Sequence, residues 1–180
     1  SLPLNPQTVY AETKASSEAF VLGLNSRSFT TVSVRPATLH GYAERLRLDL
    51  TANIFVSQAV STGVIKVFGG NQYRPNLSVL DMVRAYVQLI DAPAHLIGGK
   101  TFNVAESDHT VREIAEIVRS SVDLDVQLAL TESSDTRSYR LCADLLRGTL
   151  GFEPQFTLHQ SASDLAHRLS TWTQSEISSP

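Results

Sequence analysis

The stretch Asn5-Pro6-Gln7-Thr8-Val9-Tyr10-Ala11-Glu12-Thr13-Lys14 decides how this chain is read. In a helix, residues four apart lie one turn apart on the same face, so the ammonium of Lys14 comes within reach of the Tyr10 hydroxyl or of a ligand that both can touch. A cation beside a phenol favours its ionised form, which makes the pair a candidate for moving a proton to or from a sugar or alcohol hydroxyl. Asn5 suits the N-cap and Pro6 the first helical position, and Val9, Thr13, Ser17, Phe20 and Leu24 repeat at helical spacing. Ala11, Ala15, Ser16 and Ala19 leave small surfaces for close packing. The pair alone also occurs on ordinary amphipathic helices, so its meaning depends on the residues downstream of it. The chain opens Ser1-Leu2-Pro3-Leu4, without an initiator methionine and with no nucleotide-binding half ahead of the pair. The expectation is the carboxyl-terminal part of a larger enzyme.

Composition sets the class. With 180 residues, 42% hydrophobic and 18% charged, the chain has enough apolar material for a sizeable core. A formal net charge of -3 and scattered arginines argue against a nucleic-acid surface. No apolar run is long enough to span a bilayer as a helix, no signal peptide is evident, and the single cysteine, Cys142, cannot form an internal disulfide, so a cytoplasmic protein with no membrane partner is expected. No His, Cys or carboxylate cluster has zinc-like spacing, so no metal is expected.

Downstream, strands and helices alternate. Phe29 to Arg35 reads as a β-branched strand ended by Pro36, followed by a loop through Gly41 and Tyr42. A helix from Asp49 to Thr62 is closed by Gly63, and Val64 to Phe68 reads as a strand. Leu77 to Val79 reads as a short strand, and Asp81 as the cap or start of a helix that ends before Pro93. Thr101 to Val104 suits a buried strand, Thr110 and Glu113 form a capping box, and Val126 to Leu130 is another strand. A helix from Ala143 stops at Gly151, and an amphipathic helix runs from Leu158 to Trp172. Alternation of this kind predicts an α/β protein whose sheet is at least partly parallel.

The ordered set resembles the extended short-chain dehydrogenase/reductase family, in particular its nucleotide-sugar epimerases and dehydratases. Asn5-Pro6 with Tyr10 and Lys14 resembles the family's N-P-x-x-x-Y-x-x-x-K helix, and Val34-Arg35-Pro36-Ala37-Thr38-Leu39-His40-Gly41 its strand and loop over the nicotinamide. Arg47 to Asn53, Ile65-Lys-Val-Phe-Gly69 with Arg74, Val79-Leu-Asp81, Phe102-Asn-Val104, Asp135-Thr-Arg137-Ser-Tyr139 and Leu150-Gly-Phe-Glu-Pro154 are similar to the family's later segments, in the same order. The resemblance covers nearly the whole chain.

It implies an incomplete Rossmann-like doubly wound sheet, its second half, plus a small α/β substrate-binding domain. Residues 1–63 would be the second part of the NAD-binding domain, and 64–180 mostly the substrate lobe, with segments returning to the first. Tyr10 and Lys14 would be catalytic and, with Pro36, Ala37 and His40, bind NAD, or NADP in its place. Thr38, Asn53, Val67, Phe68, Arg74, Asp135 and Arg137 would bind a nucleotide-diphosphate sugar. A ring hydroxyl would be oxidised transiently, with 4-epimerisation favoured over 4,6-dehydration or net reduction, in a homodimer built on the Tyr10 helix. The alternative is a fragment or nucleotide-binding relative without turnover.

Several residues read two ways. Arginine presents a planar fork of donors suited to phosphate, but Arg74 and Arg137 also suit a solvated surface. Phe68 fits beside a nucleobase or in the core, Asn53 on a ligand or on a helix surface, and His40 ranks low as an acid or base. Thr38 stands where many members have an amide, Ser78 where histidine is common and Ala11 where glycine is frequent. Neither Gly69-Gly70 nor Gly98-Gly99 forms the dinucleotide fingerprint.

Overall fold

A computed structural model of the protein describes residues 4–6, 8–133 and 137–172. The first helix, α1 (Val9–Gly23), begins one turn later than Asn5-Pro6 would place it, because Thr8 is the cap: its hydroxyl accepts the Ala11 N–H at 3.1 Å. After it come β1 (Val32–Pro36) and β2 (Thr38–His40), separated by Ala37 alone. Helix α2 (Thr51–Thr62) ends at Gly63, whose φ of 67° lets its N–H reach back to the Ala59 carbonyl. Strands β3 (Val64–Phe68) and β4 (Tyr73–Ser78) come next, then α3 (Val79–Asp91) and the one-turn α4 (Ala94–Ile97). The remainder is β5 (Lys100–Val104), β6 (Ser107–Thr110), α5 (Val111–Ser121), β7 (Gln127–Thr131), α6 (Asp144–Leu150) and α7 (Leu158–Leu169). Thr110 and Glu113 form the expected capping box on α5, and Thr157 with Gln160 forms a second on α7.

Three parallel pairings carry the sheet structure: β1 with β5, β2 with β4, and β3 with β7, while β6 joins β4 antiparallel. The α/β class with parallel strands is therefore as expected. Strand β4 is longer than the Leu77 to Val79 strand expected, β2 lies in a segment read as loop, and β6 and α4 were not among the expected elements. Their residues, such as Ser107-Asp-His-Thr110, have no alternating apolar pattern, so pairing partners rather than local propensity make them strands.

Two cores form, and they interleave along the chain. One joins α2, β3, α5 and α7 through Phe55, Val56, Ile65, Val67, Ile114 and Leu165; the other joins α3, β5 and α6 through Leu77, Met82, Phe102, Val104 and Leu146. Helix α2, which lies before residue 63, thus packs with elements after it. The β2–β4–β6 sheet lies between the cores, touched by α2, α3 and α7. Asp81 joins the two sides. Ser78, rather than Asp81, caps α3, its hydroxyl accepting from Leu80 N–H at 3.3 Å. Asp81 lies inside the first turn, fully buried, and its carboxylate accepts the N–H groups of Gln155 and Phe156 at 3.0–3.1 Å and pairs with Arg84. No helix among the described residues is long and apolar enough to cross a membrane.

Candidate active site

Helix α1 buries none of its residues: Val9, Tyr10 and Phe20 are each 70% exposed or more. It is moored to β1 by one ion pair. Glu18 accepts from Ser33 Oγ at 2.7 Å and Arg35 Nε at 2.8 Å, and pairs with Arg35 Nη2 as well. The Arg35 hydrogen bond holds the Glu18 carboxyl below the usual carboxylate range, against the opposing effect of burial. Toward the amino-terminal end of the same helix, Lys14 Nζ lies 5.6 Å from the centre of the Tyr10 ring. The two sequence-selected groups therefore do meet, on an open face.

Pro36 ends β1, and the chain changes sheets at Ala37, whose N–H donates to Val104 O at 2.8 Å before β2 begins. Register then puts Thr38 and His40 of β2, Arg74, Asn76 and Ser78 of β4, and Ser107 and His109 of β6 on one sheet face, which is polar throughout. His40 is 2% exposed, and among the described residues neither ring nitrogen has a hydrogen-bond partner. Burial pushes it from 6.5 down to about 4, with the charge of Asp81 pulling upward and His109 pushing further down. The sequence offered His40 to a cofactor, but in this structure its ring is buried. Asn53 takes a third role beyond the two read for it: its carbonyl accepts from Gly41 N at 3.0 Å and its amide donates to Arg47 O at 3.0 Å, tying the loop after β2 to α2. Val67 is wholly buried in a core, whereas Phe68 is 54% exposed at the end of β3.

Arg74 sits at the start of β4, opposite His109. Its Nη1 donates to the carbonyl of Tyr73 at 2.9 Å and to that of Arg137, so these two arginines, 63 positions apart in sequence, meet. Asp135 lies outside the described residues. Sequence reasoning missed the aromatic partners of this corner: Tyr139 under Arg74, and Tyr73 under Arg140. The run Arg137-Ser138-Tyr139-Arg140, with an arginine on either side of a tyrosine, was their signal in the sequence.

A sequence profile of the NAD dependent epimerase/dehydratase family matches residues 1–105. The chain belongs to that family. Its fold is shared with solved structures at low identity. RMD from Pseudomonas aeruginosa complexed with NADPH superposes with a TM-score of 0.82 at 18% identity, covering 95% of this chain and 59% of that one. The dTDP-glucose 4,6-dehydratase from Bacillus anthracis, in complex with NAD, gives 0.75 at 18%, over 93% and 53%. The UDP-glucuronic acid 4-epimerase from Bacillus cereus, in complex with UDP-glucuronic acid and NAD, gives 0.77 at 19%, over 93% and 55%. The chain thus spans little more than half the length of these relatives, and its α/β layout is the corresponding part of their Rossmann-like fold.

In this epimerase/dehydratase chain, the donor set fits one end of a dinucleotide. Tyr10 and Lys14 offer a hydroxyl and an ammonium on an exposed helix face, suited to ribose hydroxyls. Pro36 and Ala37 lie at the carboxyl end of β1, outside which ligands of open α/β sheets bind. No G-x-G-x-x-G fingerprint occurs in the sequence given.

The buried ring of His40 has a measurable consequence. Its folded value lies below its unfolded one, so the unfolded chain binds more protons between about pH 6.5 and 4, and stability is lost as pH falls through that window. The slope approaches about 1.4 kcal/mol per pH unit. Glu106, raised by burial and facing Asp81 and His109, offsets part of it. Urea denaturation across this range is expected to show a flatter profile for His40→Leu than for wild type; parallel profiles would remove His40 as the cause.

Proposed function

We propose that the protein is an NAD-dependent enzyme acting on a nucleotide-diphosphate sugar, oxidising a ring hydroxyl transiently, with 4-epimerisation the favoured outcome. The carrying observation is the Tyr10 and Lys14 pair, brought together on an exposed helix face in a chain of the epimerase/dehydratase family. When bound, the cofactor, NAD or in its place NADP, supplies the site that accepts and returns hydride. Tyr10 Oη takes the proton of the sugar hydroxyl as its carbon is oxidised and gives it back on reduction. Lys14 donates to the nicotinamide ribose and presents positive charge to the Tyr10 oxygen as it loses its proton. Pro36 and Ala37 line the nicotinamide side.

Remote groups hold the nucleotide sugar. Arg74 and Arg137 grip the diphosphate, and Phe68, half in solvent at the end of β3, lies against the base. Thr38 faces the sugar from the polar sheet face. Asn53 acts through the loop that it ties down, and Val67 through its backbone. Relatives of the same fold support the substrate class: those from Bacillus cereus and Thermotoga maritima were solved with UDP-glucuronic acid and UDP-glucose. Cys142, exposed and free of any disulfide, suits a reducing cytoplasm.

The alternative is a nucleotide-binding relative of the same family without turnover. Tyr10→Phe distinguishes the two. In an enzyme it lowers turnover by about a hundredfold or more while nucleotide affinity stays within a factor of about two; unchanged function of any measurable kind would leave only the binding reading.

The apolar side chains of α1 also fit a homodimer packed through this helix, since Val9, Phe20 and Leu24 stand in solvent along it. Light scattering of the native protein is expected to give twice the chain mass. A monomer at high concentration would contradict the dimer.

A further inference from the structure

Residues 137–142, between β7 and α6, form no regular element, yet they are fastened at almost every step. Ser138 Oγ accepts from Tyr73 N–H at 3.0 Å, and Tyr139 N–H donates to Tyr73 O at 3.4 Å. Leu141 N–H donates to Asp108 Oδ1 at 3.2 Å, and the Cys142 carbonyl accepts from Asn103 Nδ2 at 2.9 Å. Two ring contacts interlock this segment with the start of β4: the Arg74 guanidinium lies 5.6 Å from the centre of the Tyr139 ring, and the Arg140 guanidinium 3.8 Å from that of Tyr73. Each partner thus lends a ring to the arginine of the other. The Arg137 carbonyl takes one further N–H of Arg74.

This arrangement has a physical effect on Arg74. A free arginine loses rotamer freedom when an anion immobilises it, and that loss weakens binding. Here two carbonyls accept from Nη1 and the guanidinium lies over the Tyr139 ring, so its orientation is set before any ligand arrives. Tyr139 is 51% exposed, so its ring is not explained by a share in either core.

We propose that residues 137–141 act as a strap that orients Arg74 toward a phosphate of the bound nucleotide, with Tyr139 as its positioning residue. The proposal rests on the nucleotide-sugar reading above. Because the strap sets the geometry of a remote contact, it raises affinity and leaves the rate of the chemical step alone.

Calorimetric titration of the native protein with UDP, ADP, GDP and dTDP, followed by variants measured against the diphosphate that binds tightest, tests this. Expected are a loss of more than about tenfold for Arg74→Ala, a loss of about three- to tenfold for Tyr139→Leu, and near wild-type affinity for Tyr139→Phe, which keeps the ring. In the Arg74→Ala background, Tyr139→Leu should add nothing, and in turnover assays it should raise KM with kcat unchanged. If Arg74→Ala weakens binding and Tyr139→Leu does not, or if the Tyr139→Leu loss persists without Arg74, the strap proposal alone is overturned. If no diphosphate binds, or Arg74→Ala binds as wild type does, the nucleotide reading of this corner fails and the strap falls with it.

Discussion

The buried carboxylate of Asp81 is the constraint on which the arrangement of this chain depends. It sits in the first turn of α3, within one core, and accepts two backbone N–H groups from residues 155 and 156, which lead into α7 in the other. A buried carboxylate is tolerable only when its oxygens are satisfied, so the Asp81 position obliges this segment to cross here. With α7 held, the β2–β4–β6 sheet lies between the two cores, and on its polar face Thr38 and Arg74 are half-buried while His40, Asn76 and Ser78 are buried. His40 bears the cost of that enclosure: a ring with no hydrogen-bond partner among the described residues, shifted strongly toward its neutral form by burial.

The site residues divide into two groups with different mechanical support. Arg74 stands on a strand paired on both sides and is clasped by carbonyls and a ring, a rigid grip suited to a fixed ligand group. Tyr10 and Lys14 stand on a helix moored chiefly through Glu18, with apolar side chains open along its length. On the proposed mechanism, this unequal support matches the division of labour: the grip supplies affinity through the diphosphate, and the proton-transfer pair acts on the sugar. The open face of α1 is what a second protein surface covers in the proposed dimer, which would also steady the helix.

Much of the fold was legible because local signals and tertiary demands agreed. Gly63 and Gly151 end their helices in the left-handed conformation, Thr110 and Glu113 cap α5, and Val64 to Phe68 alternates between buried and exposed. What failed to show lacked any local signal. Strand β6 is Ser-Asp-His-Thr, made a strand only by β4, and the α1 cap is Thr8, whose hydroxyl accepts the Ala11 N–H, against the preference for Asn5. At the site, the helical spacing of Tyr10 and Lys14 was enough to bring them together, since one turn of helix fixes their distance. Arg74 meets the Arg137 carbonyl across 63 positions, a contact that sequence spacing does not encode. The internal roles of Asn53 and Asp81, and the Tyr139 contact, depend on which chain segment crosses above each, and no spacing in the sequence encodes that.

The most direct measurement tracks a labelled hydrogen. Nucleotide sugars carrying deuterium on C4 of the sugar, with UDP-glucose, UDP-glucuronic acid and dTDP-glucose as the panel, would be incubated with the native protein and NAD, and the products characterised by NMR. Transient oxidation predicts an altered sugar that still carries the deuterium, because hydride leaves the ring and returns within one site. Unaltered sugars throughout, or a product whose deuterium has washed into solvent, would contradict the proposed chemistry of Tyr10 and Lys14.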